Sequence, residues 1–326
     1  MVVLCFRMPE IGEVMIIADN VASFIKDQVL IRVDALHTKY HKIEQVNDQL
    51  PQTVTGVSTH GKTSWLELEN GICLKYGLGM TGNFRPTPTP ELLAKRGETA
   101  EQYLKHAHIR LVYLGPEGES ELYYHDVRRL GLWHLLTKSE LDREIAKMGV
   151  DLVSNELTDT EILARLRHYN HLNVCKLLMD QHKALSGVGN YLKAEALYHA
   201  QIYPYACIKD LDDTTLLSMY HYVRNLARAA YEQGGASLYT FTGIAGDKSD
   251  FKFSLKVYGR KVDPLGHPVN KIKDLESPDR RTTHWVPAVQ NKGRPQLRTG
   301  GPKLCLKPRA TPVPSFNVKL RLKPTT

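Results

Sequence analysis

Cysteine is sparse and scattered in this chain. The five cysteines, at positions 5, 73, 175, 207 and 305 of 326 residues, form no CxxC pair. That excludes zinc-finger spacing and a disulfide framework, and leaves reduced, mostly buried thiols as the reading. No apolar run approaches the ~18–20 residues of a membrane-spanning helix. The opening stretch, Met1 to Arg7, is too short for a signal-peptide core and has no basic leader before it, so an intracellular protein is expected. No repeat and no low-complexity segment precedes the C-terminal tail. Acidic residues are missing from that tail: residues 291–326 hold nine Lys/Arg, six Pro and no Asp/Glu. The other 34 Lys/Arg and 35 Asp/Glu lie in residues 1–290, so the tail is the source of the net charge of +8. Its composition predicts disorder and an attraction for nucleic acid or other polyanions without sequence preference. A solubilising or nuclear-import tail fits the same composition.

What remains is ordinary globular material, 42% hydrophobic and long enough for two domains with real cores. Val14, Ile17, Ala18, Val21, Phe24 and Ile25 recur at helical spacing and predict an amphipathic helix over 14–25. Short β-prone stretches follow at 29–36, 53–60, 64–68, 72–76, 109–114 and 121–125, separated by turn residues, as in an antiparallel sandwich or barrel. Residues 84–105 read as a Pro- and Thr-containing insertion ending in a short helix. From about 138 the period becomes helical, with helices expected at 138–148, 159–168, 171–180, 191–199 and 212–233. A Gly-rich loop (234–246), a strand (251–258), a turn at Asp263-Pro-Leu-Gly266 and a second strand near 282–286 complete the pattern.

Several short stretches carry chemistry. In Leu185-Ser-Gly-Val-Gly-Asn-Tyr191, Gly187 and Gly189 permit a tight turn and Asn190 stands where a helix N-cap belongs. Free N–H groups and the helix dipole facing outward there would form a phosphate site; a plain corner between two helices is the other reading. Gly77-Leu-Gly-Met80-Thr-Gly82 sets a methionine among glycines, and Asp126-Val-Arg128-Arg129-Leu-Gly131 ends a strand on two arginines. Taken singly, each also fits a loop or a solvated strand end. His37/His41, His106/His108 and His168/His171 have spacings a metal could use but no patterned carboxylate or thiol partners, so no metal is expected. Met8-Pro9-Glu10 is the most informative run. A proline nitrogen is a strong nucleophile only as a free secondary amine. Pro9 therefore acts only if translation starts at Met8 and that methionine is removed, which would make residues 1–8 a non-native extension.

In order along the chain, Met8-Pro-Glu10, Gly61-Lys62, Gly79-Met-Thr-Gly82, Asp126-Val-Arg-Arg-Leu-Gly131, Leu178-Met-Asp-Gln181, Gly187-Val-Gly-Asn-Tyr191, Glu195-Ala-Leu197, Ile202-Tyr-Pro204 and Val257-Tyr-Gly-Arg-Lys261 resemble the formamidopyrimidine-DNA glycosylase/endonuclease VIII (Fpg/Nei) family over about residues 9–290. The resemblance implies an α+β fold: an N-terminal two-layer β-sandwich with a long helix, then a helical helix–two-turn–helix domain ending in a β-hairpin finger. The corresponding boundaries are 9–136 for the catalytic sandwich, 137–250 for the helical domain, 251–290 for the finger and 291–326 for the tail. It implies Pro9 as nucleophile, Glu10 as the acid for the deoxyribose ring oxygen, Glu13 as a second carboxylate and Lys62 as a phosphate contact beside the lesion. Met80 and Arg128 would fill the gap left by an extruded base, and Asn190 and Arg281 would hold phosphates.

The finger lacks the family's two CxxC pairs, which resembles the zincless branch known from giant viruses, plants and animals. Gly12 stands where Pro is usual, and Leu130 where Phe is common. The implied protein is a cofactor-free, bifunctional glycosylase/AP lyase of base excision repair. It would act as a monomer on damaged double-stranded DNA, without a membrane partner, in the nucleus, a viral factory or another DNA-containing compartment. If Pro9 stays internal, the implied protein is a non-catalytic damaged-DNA binder on the same fold.

Overall fold

Hydrophobic spacing places the first helix, and the computed structural model, which describes residues 9–234 and 255–295, extends it toward the N-terminus: α1 spans Ile11–Ile25. Glu10 is its N-cap residue, and Glu13 reaches back so that its Oε2 accepts from the Glu10 N–H at 3.0 Å. This helix serves two cores. Val14, Ile17, Val21 and Ile25 pack into the sheet domain, while Ile11 packs into the helical half. Each such side chain contributes roughly 1.5–3 kcal/mol on burial, so α1 fixes Glu10 at the junction of the two halves.

The sheet is a single antiparallel set of eight strands: β1 (Val29–Ala35), β2 (Gln52–His60), β3 (Thr63–Leu68), β4 (Ile72–Gly77), β5 (Gly82–Pro86), β6 (Ala107–Gly115), β7 (Gly118–Asp126) and β8 (Leu132–Thr137). Their order is β5-β7-β6-β1-β2-β3-β4-β8. β1 and β2 share only the short register Val29↔Thr53 and Leu30↔Gln52. On one side of that seam lie β5, β7 and β6, on the other β3, β4 and β8. Aromatic rings bring the far ends of this order together. Tyr76 and Trp133 from β4 and β8 meet Phe84 and Tyr124 from β5 and β7, with Tyr76–Phe84 centroids 5.2 Å apart and Tyr124–Trp133 centroids 5.3 Å apart. β5 and β8 were not read from the sequence. β5 is five residues long and ends on proline, which hides its period, yet Phe84 is fully buried in the core. The stretch read as an insertion contributes that strand and two short helices, α2 (Pro90–Arg96) and α3 (Ala100–Leu104).

The second half comprises α4 (Lys138–Ile145), β9 (Val150–Asp151), α5 (Asp159–His168), α6 (Val174–Met179), β10 (Leu185–Ser186), α7 (Asn190–His199) and α8 (Asp213–Glu232). Side-chain caps set several starts: Thr137, Thr158, Asn173 and Asp212 each accept from a first-turn N–H. The Asn173 cap is why α6 begins later than the expected 171.

In the finger, β11 (Asn270–Ile272) pairs antiparallel with β12 (Thr283–Trp285). The strand expected at 251–258 is not formed over its described part: residues 256–258 are bend and turn, Leu255 belongs to no element, and 251–254 lie outside the described residues. The reason is a carboxylate. Glu195, buried in α7, accepts from the N–H groups of Lys256, Val257 and Tyr258 at 2.8–2.9 Å, where a neighbouring strand would otherwise bond. The expected Gly-rich loop at 234–246 also lies outside the described residues, apart from Gly234.

Candidate active site

Glu10 is 2% exposed, and its carboxyl group sits on the N-terminus of α7. Oε2 accepts from the N–H of Gly189 at 3.0 Å and of Leu192 at 3.1 Å, and Oε1 accepts from the N–H of Tyr191 at 2.7 Å. Close approach is possible because residue 189 is glycine: a Cβ there would stand 2.2 Å from Glu10 Cδ. Gly187, at φ +105°, plays the same part for Ile11, whose Cδ1 would be 2.6 Å from an added Cβ. The sequence reading of this turn needs correction on two points. Gly189, not Asn190, is the N-cap, and three of the N–H groups expected to face outward for a phosphate are taken by Glu10. The first N–H groups of a helix lack partners within it, and here the chain supplies their acceptor itself.

Glu13 and Lys62 complete the inner set. The Tyr191 hydroxyl donates to Glu13 at 3.3 Å, and burial, with the Glu13 and Glu10 carboxylates, pushes that phenol well above its usual range. Lys62 lies in the β2–β3 turn. Its backbone N–H donates to Gln181 Oε1 at 2.7 Å, and its ammonium donates to the Val188 carbonyl at 2.8 Å. Gly61 donates to Asp151 Oδ2 at 2.7 Å and holds φ +60°, with no room for a Cβ against Ser186. Burial pushes the Glu10 carboxyl up to about 8, helped by the charge of Glu13 and opposed by the Tyr191 N–H, Lys62 and the Leu192 N–H. Burial lowers the Lys62 ammonium. Glu10 opposes that shift, and Arg281 adds to it. These mutual effects place Glu10, Lys62 and Arg281 in one electrostatic neighbourhood. Pro9, partly buried, is bonded directly to Glu10.

An open cleft of about 680 Å³ runs from Lys62 past α6 to the finger, and Lys176, His182, Lys183, Arg280 and Arg281 line it. This is a basic surface suited to a phosphate backbone. Asn190 projects toward the finger, where its Nδ2 donates to the Thr282 carbonyl at 2.9 Å. Met80 and Arg128 form a separate pair at the sheet's edge. Arg128 Nη1 lies 2.9 Å from Met80 Sδ, and the Arg128 N–H donates to Thr81 Oγ1 at 3.0 Å. Buried Asp126 organises this edge by accepting from Thr81, from the N–H of Arg128 and from the N–H of Gly131. Lys39 clamps the same loop through the carbonyls of Arg129 and Gly131. Gly12 has a local reason as well: a Cβ there would stand 3.1 Å from both Ala230 Cβ and the Tyr231 nitrogen on α8.

Sequence reasoning did not assign Tyr191, Gly189, Gln181, Asp151 or Lys39. Gln181, inside Leu178-Met-Asp-Gln181, and Gly189 and Tyr191, inside Gly187-Val-Gly-Asn-Tyr191, carried a signal, and Asp151 and Lys39 carried none.

The finger does not fit the zinc that the family commonly carries. Asp263 and His267 are the potential donors at its first turn. Asp263 accepts from the N–H groups of Leu265 and His267, from the Tyr198 hydroxyl and from the His267 ring, which spends both groups on the turn itself. Among the described residues no group of three or more His, Cys, Asp or Glu could hold a metal ion.

An antiparallel sandwich, a helical half that receives the Glu10 carboxyl on a helix terminus, and a basic cleft beside a hairpin are the parts that the resemblance to DNA-repair glycosylases implies. Similarity to known proteins narrows the group further. Residues 8–133 match the formamidopyrimidine-DNA glycosylase N-terminal domain, and residues 243–291 match the corresponding C-terminal domain. The chain is 27% identical over 292 residues to formamidopyrimidine-DNA glycosylase of Listeria monocytogenes, covering 87% of this chain and 100% of that protein. It is 29% identical over 290 residues to the enzyme of the same name from Shewanella denitrificans, again covering 87% and 100%. Among solved structures, MutM (Fpg) from Thermus thermophilus superposes with a TM-score of 0.71 at 26% identity, and Lactococcus lactis Fpg in complex with abasic-site DNA with 0.72 at 23%. Both alignments cover 87% of this chain and 100% of the other. The chain belongs to the Fpg/Nei family.

Proposed function

We propose that this protein is a bifunctional DNA glycosylase/AP lyase that excises oxidised bases from damaged duplex DNA through a Schiff base on Pro9. The supporting observation is the Glu10 carboxyl group: bonded next to Pro9, buried, and held up at about 8, it keeps a proton to give at neutral pH. The family match begins at residue 8, which agrees with a mature chain starting at Pro9. An α-amine with a pKa near 8 is partly neutral at pH 7.

In this reading the damaged nucleotide is rotated out of the stack, at a cost of a few kcal/mol. Met80 and Arg128 enter the space it leaves, while Lys62, Asn190 and Arg281 hold the phosphates. The Pro9 lone pair bonds to C1′ as the base departs with the glycosidic electron pair and takes up the proton released from the Pro9 nitrogen; the C1′–O4′ bond then breaks as Glu10 protonates the ring oxygen, which becomes the 4′-hydroxyl, and an iminium forms. That cation acidifies the 2′ proton. Its loss expels the 3′ phosphate, and a second elimination expels the 5′ phosphate. No cofactor takes part. The resemblance to the zincless branch of the family points to oxidised pyrimidines and hydantoins over 8-oxoguanine as substrates.

The test is borohydride reduction on abasic-site DNA with peptide mapping, together with intact-mass measurement of the native protein. A reduced adduct at Pro9, on a chain whose first residue is Pro9, is the expected result. No adduct would leave a DNA-binding protein on the same fold. A panel of thymine glycol, dihydrouracil, hydantoin and 8-oxoguanine duplexes tests lesion choice, and preference for 8-oxoguanine opposite cytosine would reverse it. For Arg281→Ala, the slope of log K against log salt should become shallower by about 0.9, one phosphate contact. An unchanged slope would remove Arg281 from the interface.

A further inference from the structure

A charged pair lies wholly inside the joint between α7 and the finger. Lys193 is 0% exposed and the Asp279 side chain 3%. The Lys193 ammonium donates to Asp279 Oδ2 at 2.5 Å and to Thr283 Oγ1 at 2.9 Å. The ring continues: Ser277 Oγ donates to Asp279 Oδ1 at 2.7 Å, Ser277 and Thr283 hydroxyls lie 3.0 Å apart, and Thr283 Oγ1 donates to the Arg281 carbonyl at 3.2 Å. Asp279 Oδ1 also accepts from the Arg281 N–H at 3.2 Å. Three residues earlier on α7, Asn190 holds the Thr282 carbonyl. The segment fastened in this way, residues 278–282, presents Arg280, at φ +57°, and Arg281 to the basic cleft.

Burying two charges is expensive, and a buried ion pair is often no more stabilising than apolar residues of the same size. What the pair supplies is a fixed geometry, because two charges inside a closed polar ring admit one arrangement, whereas an apolar plug admits several. Through its backbone bonds Asp279 fixes where residue 281 leaves the finger, and through Lys193 it ties that point to the helix whose N-terminus holds Glu10. The usual metal would brace the finger internally. This pair instead braces it against the helical half.

We infer that Lys193 and Asp279 are positioning residues, which orient Arg281 for phosphate binding in place of a metal-braced finger. The inference rests on the DNA-binding reading above. Lys193 is itself out of reach of solvent and therefore of phosphate, so any effect of its substitution on salt-dependent binding must pass through the segment it holds.

The test compares wild type, Arg281→Ala, Lys193→Met, the paired Lys193→Met/Asp279→Leu and the triple variant with Arg281→Ala. Binding to abasic-site duplex is measured across a salt series, and folding is checked by thermal melting. Lys193→Met and the paired variant should each bind about ten-fold or more weakly. Each should lose about 0.9 from the salt slope, and adding Arg281→Ala should lower affinity by less than a further two-fold. The paired variant, with no stranded charge, should melt as cooperatively as wild type and carries the comparison if Lys193→Met alone does not fold. If Arg281→Ala shifts the slope but the folded paired variant keeps the wild-type slope, the inference fails and the DNA-binding reading stands. If Arg281→Ala shifts nothing, Arg281 makes no phosphate contact and the inference fails with it; if wild type does not bind the duplex at all, the DNA-binding reading fails first. If neither Lys193 variant folds, the pair is a stability element and the positioning role is overturned.

Discussion

Glu10→Gln should stop base removal while leaving a folded protein that still forms a borohydride-stable adduct on pre-formed abasic DNA. Positioned proton donors contribute about 10²–10⁴-fold to such steps, so excision from a lesion-containing duplex should fall by that factor. The abasic aldehyde needs no departing base, and its reaction with Pro9 should survive. The pH dependence follows from burial, which lifts the Glu10 carboxyl to about 8. The proton is present below that pH and lost above it, so wild-type excision should decline on the alkaline side near 8, and no such limb should remain in the residual activity of the variant. Stability carries the same sign. A carboxyl raised in the folded state binds more protons folded than unfolded, so its contribution is full below the ordinary carboxylate range and is lost as pH rises toward 8. The melting temperature of Glu10→Gln relative to wild type should therefore increase between pH 5 and 8. Near-normal excision by the variant would take the acid role away from this residue.

Gly189→Ala should be as inactive in excision and, unlike Glu10→Gln, less stable. Residue 189 has φ −117°, which any residue adopts, so the backbone is not the obstacle. The obstacle is the carboxyl group itself, with Cδ 2.2 Å, Cγ 2.4 Å and Oε1 2.5 Å from the position of the new methyl. The methyl group must displace Glu10, which strands the N–H groups of Gly189, Tyr191 and Leu192. Overpacking of this kind costs about 1–3 kcal/mol, and each buried N–H left without a partner about 1–3 kcal/mol. Thermal melting and a single-turnover excision assay read both effects. An alanine variant with wild-type excision would show that the cradle on α7 has no part in holding the acid.

Much of this was legible in the sequence, for identifiable reasons. α1 and the helices of the second half announce themselves through apolar spacing and through capping residues such as Thr137, Thr158 and Asp212. The candidate site was legible as an order of short motifs, because Pro9, Glu10, Lys62 and Asn190 each sit beside glycine or in an otherwise unusual run. What stayed hidden were relations across long stretches of chain. Nothing local indicates that Glu195 will occupy the N–H groups of 256–258 and so prevent a strand, that Phe84 belongs between Tyr76 and Tyr124, or that Lys193 will bury its charge against Asp279. The apparent phosphate nest at 187–191 misled for the same reason, since its occupant lies at the other end of the sequence.

That occupant has a consequence for how the protein comes into being. Glu10 and its three backbone donors are separated by 179, 181 and 182 positions. A nascent or proteolysed chain ending before Gly189 would therefore contain Pro9 and Glu10 in adjacent places, yet lack the N–H groups that hold the Glu10 carboxyl. On the proposed reading, base removal is therefore not available until synthesis has passed Leu192.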